Sequence, residues 1–350
     1  MIRSLIDKLN TSHWLSHDEW GSLLVDMEPA DESYLFSISA EITRNQFGRK
    51  VFVRGLLEIG NYCCNSCRYC GIQAPNRQLE RYRLEPEEII ESCKKAYQIG
   101  FRSFVLQGGE EKIGLTSRMA EILAQLKRDC PEAALTLSIG EHSTELYEEW
   151  YRAGADRYLL RHETASAQLY EKFHPGMSLS HRMDCLYKLK EIGYQTGSGF
   201  LTGLPGQEPV SHADDFLFLQ QLKPHMVGIG PFIPHRQTPL SGESAGSAAF
   251  TLRLLALTRL LLPDALLPAT TALNTVHSEG RLMALRVASN VVMPNITPPV
   301  YRSLYSLYDG KKITGDEAAE TLREMCSYLK ENGFSPALER GDFIPDRTKV

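Results

Sequence analysis

Hydrophobic and polar positions along the chain fall into two alternating kinds of segment. Short apolar, β-branched runs recur: VFVRGLLEI (51–59), SFVLQ (103–107), ALTLSI (134–139), RYLLR (157–161), YQTGSGFL (194–201), MVGIG (226–230), LLPATTAL (266–273) and ASNVVM (288–293). Each reads as a strand. Between them lie stretches with apolar residues at helical spacing, such as EPEEIIESCKKAYQIG, SRMAEILAQLKRDC and STELYEEWYRAGA. Several begin at a Ser, Thr or acidic cap and end in Gly or Asn. Eight strand–helix units in about 280 residues predict an α/β chain folded as a parallel (β/α)8 TIM barrel, complete or nearly so. The run at 266 is the weakest strand, because Pro268 sits inside it. Residues 1–47 read as a helical extension, with SHDEWGSLLVDM and DESYLFSISAEITRNQF each opening on a Ser or Asp cap. Residues 48–350 then form the barrel domain and a C-terminal helical tail.

A barrel of this kind gathers its active site at the C-terminal ends of its strands. Those ends carry NYCCNSCRYCGIQ (61–73), QGGE (107–110), SIGE (138–141), RHET (161–164), TGLPGQ (202–207), GPFIPH (230–235), TTALNT (270–275) and MPN (293–295). Loops are polar in general. Glycines, charges and hydroxyls at all eight ends point further, to one furnished rim.

Composition narrows the class. The chain is 43% hydrophobic and 23% charged with net charge −5, so it lacks the basic footprint of a nucleic-acid binder. The longest apolar stretch (252–273) is broken by Arg253, Arg259, Pro263, Asp264 and Pro268, too often to span a bilayer. The N-terminus lacks the apolar core of a signal peptide, and a cytoplasmic location is expected. In a reducing compartment a tight cysteine cluster reads as metal-binding or catalytic. Four of the eight cysteines lie in that cluster; Cys93, Cys130, Cys185 and Cys326 stand singly on helical segments and are expected to be structural thiols.

Cys63, Cys67 and Cys70 have the spacing C-x3-C-x2-C. Three thiolates are one short of a structural zinc or an ordinary electron-transfer cluster. A four-iron cubane held by three cysteines keeps one iron open to a small molecule. A zinc knuckle with Cys64 as fourth ligand and a redox thiol pair are the other readings. Adjacent side chains diverge on most backbones, which makes Cys64 a poor partner for Cys63.

The motif, with Tyr69 just before the last cysteine and QGGE one strand later, resembles the signature of the radical S-adenosylmethionine (SAM) superfamily. The resemblance implies one [4Fe–4S] cluster on Cys63, Cys67 and Cys70, with SAM on the open iron as the source of a 5′-deoxyadenosyl radical. It also implies cofactor contacts from Tyr69, Gly108, Gly109 and Glu110. Longer strings, among them RYRLEPEEI, GADRYLLRHETA, HMVGIGPFIPHRQTPL and NVVMPNITPPVYRSLYSLYDGK, resemble the FeFe-hydrogenase maturase (HydE) family, kin to biotin and methylornithine synthases. That resemblance implies an organometallic iron substrate bearing CO, cyanide and cysteine, whose sulfur the radical attacks. It further implies transient contact with the precursor-forming radical SAM enzyme and a GTPase scaffold, and an electron-donor protein.

By the same matching, Glu163, Arg182, Thr136, Ser138 and Met226 would contact SAM. Gln107, Arg157, Arg161, Thr270, Thr271 and Tyr305 would line the substrate cavity. Two arginines two layers apart on one face of a strand suit an anionic ligand; pairing with Glu141 or Glu163 is the plainer reading. His162 points to the other side of that strand and is expected to be structural. Two features depart from the family. The stretch YDGKKITGDEAAETLREMC (308–326) holds only Cys326 where many relatives have three cysteines, so no second cluster is expected; and Gly108 stands where relatives often have Ser. Both leave open a radical SAM enzyme acting on another sulfur-containing or amino-acid substrate. A non-catalytic Fe–S scaffold would need the thiolates alone and not the furnished rim.

Overall fold

A computed structural model describes residues 1–311 and 318–345. Part of the stretch in which no second cluster is expected, 312–317, therefore lies outside the described residues. Three helices open the chain: α1 (Ile2–Ser12), α2 (His17–Val25) and α3 (Pro29–Phe47). Ser16 caps α2 in a reciprocal pair with Glu19. α3 starts at Pro29, ahead of the expected Asp31, because proline presets the first helical φ and leaves Asp31 in the first turn.

The strands and helices that follow are β1 (Lys50–Val53), β2 (Gly55–Gly60), α4 (Pro86–Gln98), β3 (Ser103–Gly108), α5 (Met119–Asp129), β4 (Ala134–Ser138), α6 (Thr144–Arg152) and β5 (Arg157–Leu159). Next come α7 (Ala167–Phe173), α8 (Leu179–Ile192), β6 (Gln195–Ser198), β7 (Leu201–Thr202), α9 (His212–Leu222), β8 (Met226–Val227), β9 (Gly230–Pro231) and α10 (Ala248–Leu261). The chain ends with α11 (Thr271–Val276), α12 (Gly280–Val287), β10 (Val291–Val292), α13 (Pro299–Arg302), α14 (Ala318–Glu331) and β11 (Ser335–Ala337).

A parallel ladder runs β2–β3–β4–β5–β6–β8. Beyond β8 the seventh position is met by single bridges, Met226 to Leu266 and Pro268 to Val291, after which β10 pairs in parallel with β1. Asn295 then bridges to Leu56 on β2, so backbone pairing can be followed around the whole (β/α)8 barrel. The expected strand at 266–273 is reduced to these bridges for a local reason. Pro268 has no N–H to donate, the Leu267 N–H goes to the side chain of Asn290 at 2.8 Å, and α11 begins at Thr271. The expected strand 194–201 is likewise split. Gly199, at φ +148°, lies so close to the next strand that a Cβ there would stand 2.0 Å from the Gly228 carbonyl oxygen. The kinked pair continues as β7 with β9.

α10 is apolar on almost every side because α3 and α12 pack on it. Its Arg259 is fully buried yet fully used, donating to the carbonyls of Pro263, Ala265 and Ala288. The N-terminal helices also cover α9: Trp20 stacks on Phe216 at 4.3 Å and donates its indole N–H to Gln220 at 2.7 Å. Burying such side chains stabilises the fold by about 1.5–3 kcal/mol each. Among the described residues no helix is long and apolar enough to cross a membrane. Cys93, Cys130 and Cys185 are buried, and Cys326 is half-buried.

At the other end of the barrel, β11 adds to β1 in parallel. The residues after it plug the N-terminal ends of the strands. Asp342 pairs with Arg157 at 2.7 Å and with Arg340, which also reaches Asp156.

Candidate active site

The cysteine loop leaves β2 at Asn61, which is fully buried and holds both ends of its own turn. Its amide donates to the Glu80 and Leu304 carbonyls at 2.8 Å each, and its oxygen accepts from Tyr82 N. The loop has no regular secondary structure, so its shape rests on side chains. Arg81 supplies most of it, donating to the carbonyls of Asn61, Ile72, Gln73 and Asn76. Tyr69, just before Cys70, bonds to His174 at 2.7 Å, and burial lowers that imidazole to about 4.

Cys63, Cys67 and Cys70 are half-buried on this loop. Burial raises all three: Cys70 to about 12 and Cys67 well above its ordinary value, with the neighbouring thiols adding to both, and Cys63 upward, with the Glu110 charge adding to it. Free thiols so placed stay protonated at neutral pH, and only a bound cationic centre displaces the protons. Among the described residues the side chains do not converge as ligands of a single ion do. Three mutually repelling thiolates spread over one loop fit a cluster in which each holds a different iron. Cys64 is exposed, and its thiol turns to Glu110.

Beneath the loop, β3 ends in Gln107 and Gly108, and the chain runs on through Gly109 and Glu110. Gly109 packs so tightly that a Cβ would lie 2.0 Å from the Tyr62 carbonyl oxygen and 2.8 Å from the Cys63 Cβ. Glu110 is a staple: its carbonyl accepts from Cys64 N at 2.9 Å and its carboxylate from Glu141 N at 2.7 Å. Next along the ladder, Ser138 ends β4, and Thr136 is fully buried with a hydroxyl that has no partner.

Past β5, Arg161 faces Glu163 in a two-pronged ion pair at 3.1–3.2 Å. Arg182, on α8, donates to Glu141 and to the Arg161 carbonyl, and the surrounding Tyr170, Glu141, Glu110 and Glu163 outweigh burial and raise its pKa. Gln107 donates to the buried Tyr305 hydroxyl at 3.2 Å. Thr270 caps α11, and Thr271 is that helix's first residue. The structure therefore brings Gln107, Ser138, Arg161, Glu163, Arg182, Thr270, Thr271 and Tyr305 to the C-terminal ends of the strands, around the cysteine loop.

Two expected residues lie at the far end, and Thr136 sits mid-strand on β4, in register with Arg157. Arg157 is the first residue of β5, two inward layers below Arg161; it is 2% exposed and held by Asp342, Ser103 and the Arg340 carbonyl. Its partner is neither Glu141 nor Glu163. Met226 is the first residue of β8 and packs at the same plugged end, where its sulfur accepts from Arg54. A strand rises about 3.3 Å per residue, so a residue four places back from the rim no longer reaches it.

Sequence reasoning missed Arg81, Asn61 and the ion pair of Lys311 with the buried Glu58, whose other oxygen takes Asn295 at 3.0 Å. A lone carboxylate in the apolar run VFVRGLLEI was the signal for that pair.

Comparison with known proteins agrees with this geometry. A family model described as the radical SAM superfamily matches residues 57–218. The [FeFe] hydrogenase maturase subunit HydE of Thermotoga maritima is 45% identical over 309 residues, 88% of each chain. A 3-methylornithine synthase of Methanosarcina acetivorans is 28% identical over 95% of this chain and 93% of its own. The crystal structure of methylornithine synthase (PylB) superposes with TM-score 0.82 at 26% identity, covering 95% of this chain and 97% of that one. Membership of this group implies a [4Fe–4S] cluster and SAM, which the three thiols and the glycine-floored loop suit. The chain belongs to the radical SAM superfamily, in the family of the [FeFe] hydrogenase maturase subunit HydE.

Proposed function

We propose that this enzyme processes a cysteine-bound iron–CO–cyanide precursor during assembly of the FeFe-hydrogenase active site. The observation that carries the reading is a rim on which three thiols raised by burial share the strand ends with the Arg161–Glu163 pair, Gln107 and Tyr305. When bound, the cluster and SAM supply a 5′-deoxyadenosyl radical, whose attack on the substrate's sulfur is the step the family likeness implies. Cys63, Cys67 and Cys70 hold the cluster, one cluster only.

The Glu163 carboxylate accepts from the amine or a ribose hydroxyl of SAM, and the Arg182 guanidinium steadies the site electrostatically. Thr136 and Ser138 offer hydroxyls. Gly109, flanked by Gly108 and Glu110, floors the cofactor site, and Tyr69 secures the loop above it. Arg161, Gln107, Thr270, Thr271 and Tyr305 line the cavity and orient an anionic substrate. Arg157 and Met226 support the barrel from its plugged end.

The electron donor and the other maturases are transient partners, met in the cytoplasm. Likeness to methylornithine synthase over nearly the whole chain supports a second reading, an amino-acid substrate. To decide between them, anaerobically reconstituted, reduced protein is given SAM and either the precursor made by the partner maturase or free amino acids. An adenosylated sulfur product with the precursor is expected. Turnover with an amino acid alone refutes the hydrogenase reading.

A further inference from the structure

Between the 161–165 segment and α9 lies a network of polar side chains that the site described above does not use. Asp215 of α9 is fully buried, as is His162, and His212 is 1% exposed. One oxygen of Asp215 accepts from Ala165 N at 2.6 Å and from His162 Nε2 at 3.2 Å. The other accepts from His212 Nδ1 at 2.8 Å. The far nitrogen of His162 bonds to Ser198 Oγ at 2.9 Å, and its ring packs edge-on against Phe218 at 4.9 Å. Apolar residues would fill this space at less desolvation cost, so the carboxylate adds something other than packing.

What it adds is local to Glu163. That residue has φ +65°, a left-handed conformation that a non-glycine residue keeps only when its surroundings over-determine it. Asp215 pins the chain on both sides, through the side chain at 162 and the backbone at 165. Thr164 N closes a tight turn on the His162 carbonyl at 2.8 Å, and Glu163 itself is threaded between Gly199 and Leu201. The result is a carboxylate whose Oε2 is buried in the rim, paired with Arg161 at 3.1 Å but accepting no well-aligned hydrogen bond.

We propose that Asp215, seated by His162 and His212, is a positioning residue that holds Glu163 in the left-handed turn aiming its carboxylate at the bound SAM. The proposal rests on the reading that Glu163 contacts SAM, and it extends the cofactor site to a helix that never touches the cofactor. The sequence carries a trace of it: HADDFLFL places Asp215 and His212 together on one face with Phe218 and Leu219.

The test uses reconstituted holoenzyme, with SAM affinity from equilibrium dialysis, iron content, and KM and kcat for 5′-deoxyadenosine release. Asp215→Ala is expected to weaken SAM binding about tenfold, the cost of losing charged hydrogen bonds, with iron content and kcat at saturating SAM nearly unchanged. Asp215→Asn, which keeps an acceptor for Ala165 N, should recover most of the affinity. In a Glu163→Gln background, already weakened, Asp215→Ala should add less than about twofold, because both changes remove one interaction.

Wild-type affinity in Asp215→Ala, with Glu163→Gln weakened, overturns the positioning role. Wild-type affinity in Glu163→Gln removes the SAM contact, and the proposal with it. Additive losses mean that Asp215 acts elsewhere and also overturn it. Should Asp215→Ala fail to fold, His162→Phe cuts only one arm of the clamp while filling the same space; it should weaken SAM severalfold, and unchanged affinity refutes the role.

Discussion

Gly108 and Gly109 are adjacent, lie under the cysteine loop, and allow one substitution to be compared at two sites. Neither has positive φ, so alanine costs no backbone strain at either. At Gly109 the new Cβ would stand 2.0 Å from the Tyr62 carbonyl oxygen and 2.8 Å from both the Tyr62 carbonyl carbon and the Cys63 Cβ. All three atoms belong to the backbone or stem of the loop, so no flexible side chain can give way. At Gly108 the nearest atom is a methylene of Ile59 at 3.2 Å, then the Gly60 carbonyl oxygen at 3.4 Å, and a small rotation suffices.

Overpacking a rigid site costs about 1–3 kcal/mol. Removing a glycine from the unfolded chain returns about 0.4–1 kcal/mol at both positions. Gly108→Ala should therefore be neutral within about 0.5 kcal/mol. Gly109→Ala should lose about 1–2 kcal/mol and shift the loop that carries the thiols. Denaturant melts of the apo-chain and iron content after reconstitution measure the two effects. Equal stability and equal iron in the two variants would refute the steric argument.

Other expectations come from the same side-chain accounting. Asp342→Ala leaves the buried Arg157 without its counter-charge and should lower stability by about 2–3 kcal/mol in urea melts, with SAM affinity unchanged. Although burial opposes ionisation, Arg340 and Arg157 hold the Asp342 carboxyl well below the usual carboxylate range. A depressed folded pKa stabilises fully above the unfolded value of about 4 and fades as pH falls toward the folded one, so wild type should lose its advantage over Asp342→Asn on acidification below about pH 4. Arg81→Met frees four loop carbonyls at once and should reduce bound iron after desalting while the helical circular dichroism is retained. Cys67→Ser should give protein that neither turns brown nor releases 5′-deoxyadenosine; unaltered behaviour would sink the cluster assignment.

Much of this molecule is legible along the chain because its signals are local. Strand and helix periodicity, the C-x3-C-x2-C spacing and the strings at the strand ends all lie within short windows, and a parallel barrel turns such windows into a ring. Periodicity could not say where a strand stops being paired. The run 266–273 looked like its neighbours, yet Pro268 and the Asn290 side chain reduce it to two bridges. Nor could it assign depth. Arg157 and Arg161 share a strand face, and only the closure of the barrel and the arrival of residues 340–342 from the far end of the chain put one in a plug and the other at the rim.

The same holds for the groups that support the site. Arg81, Glu58 with Lys311, and Asp215 act across separations that no sequence window spans. The sequence by itself determined the barrel, the thiols and the family of chemistry, since spacing along a strand or loop is set by covalent geometry. The tertiary structure alone decided which charges pair and which carboxylates face the site, because pairing depends on distances that exist only after the ring has closed.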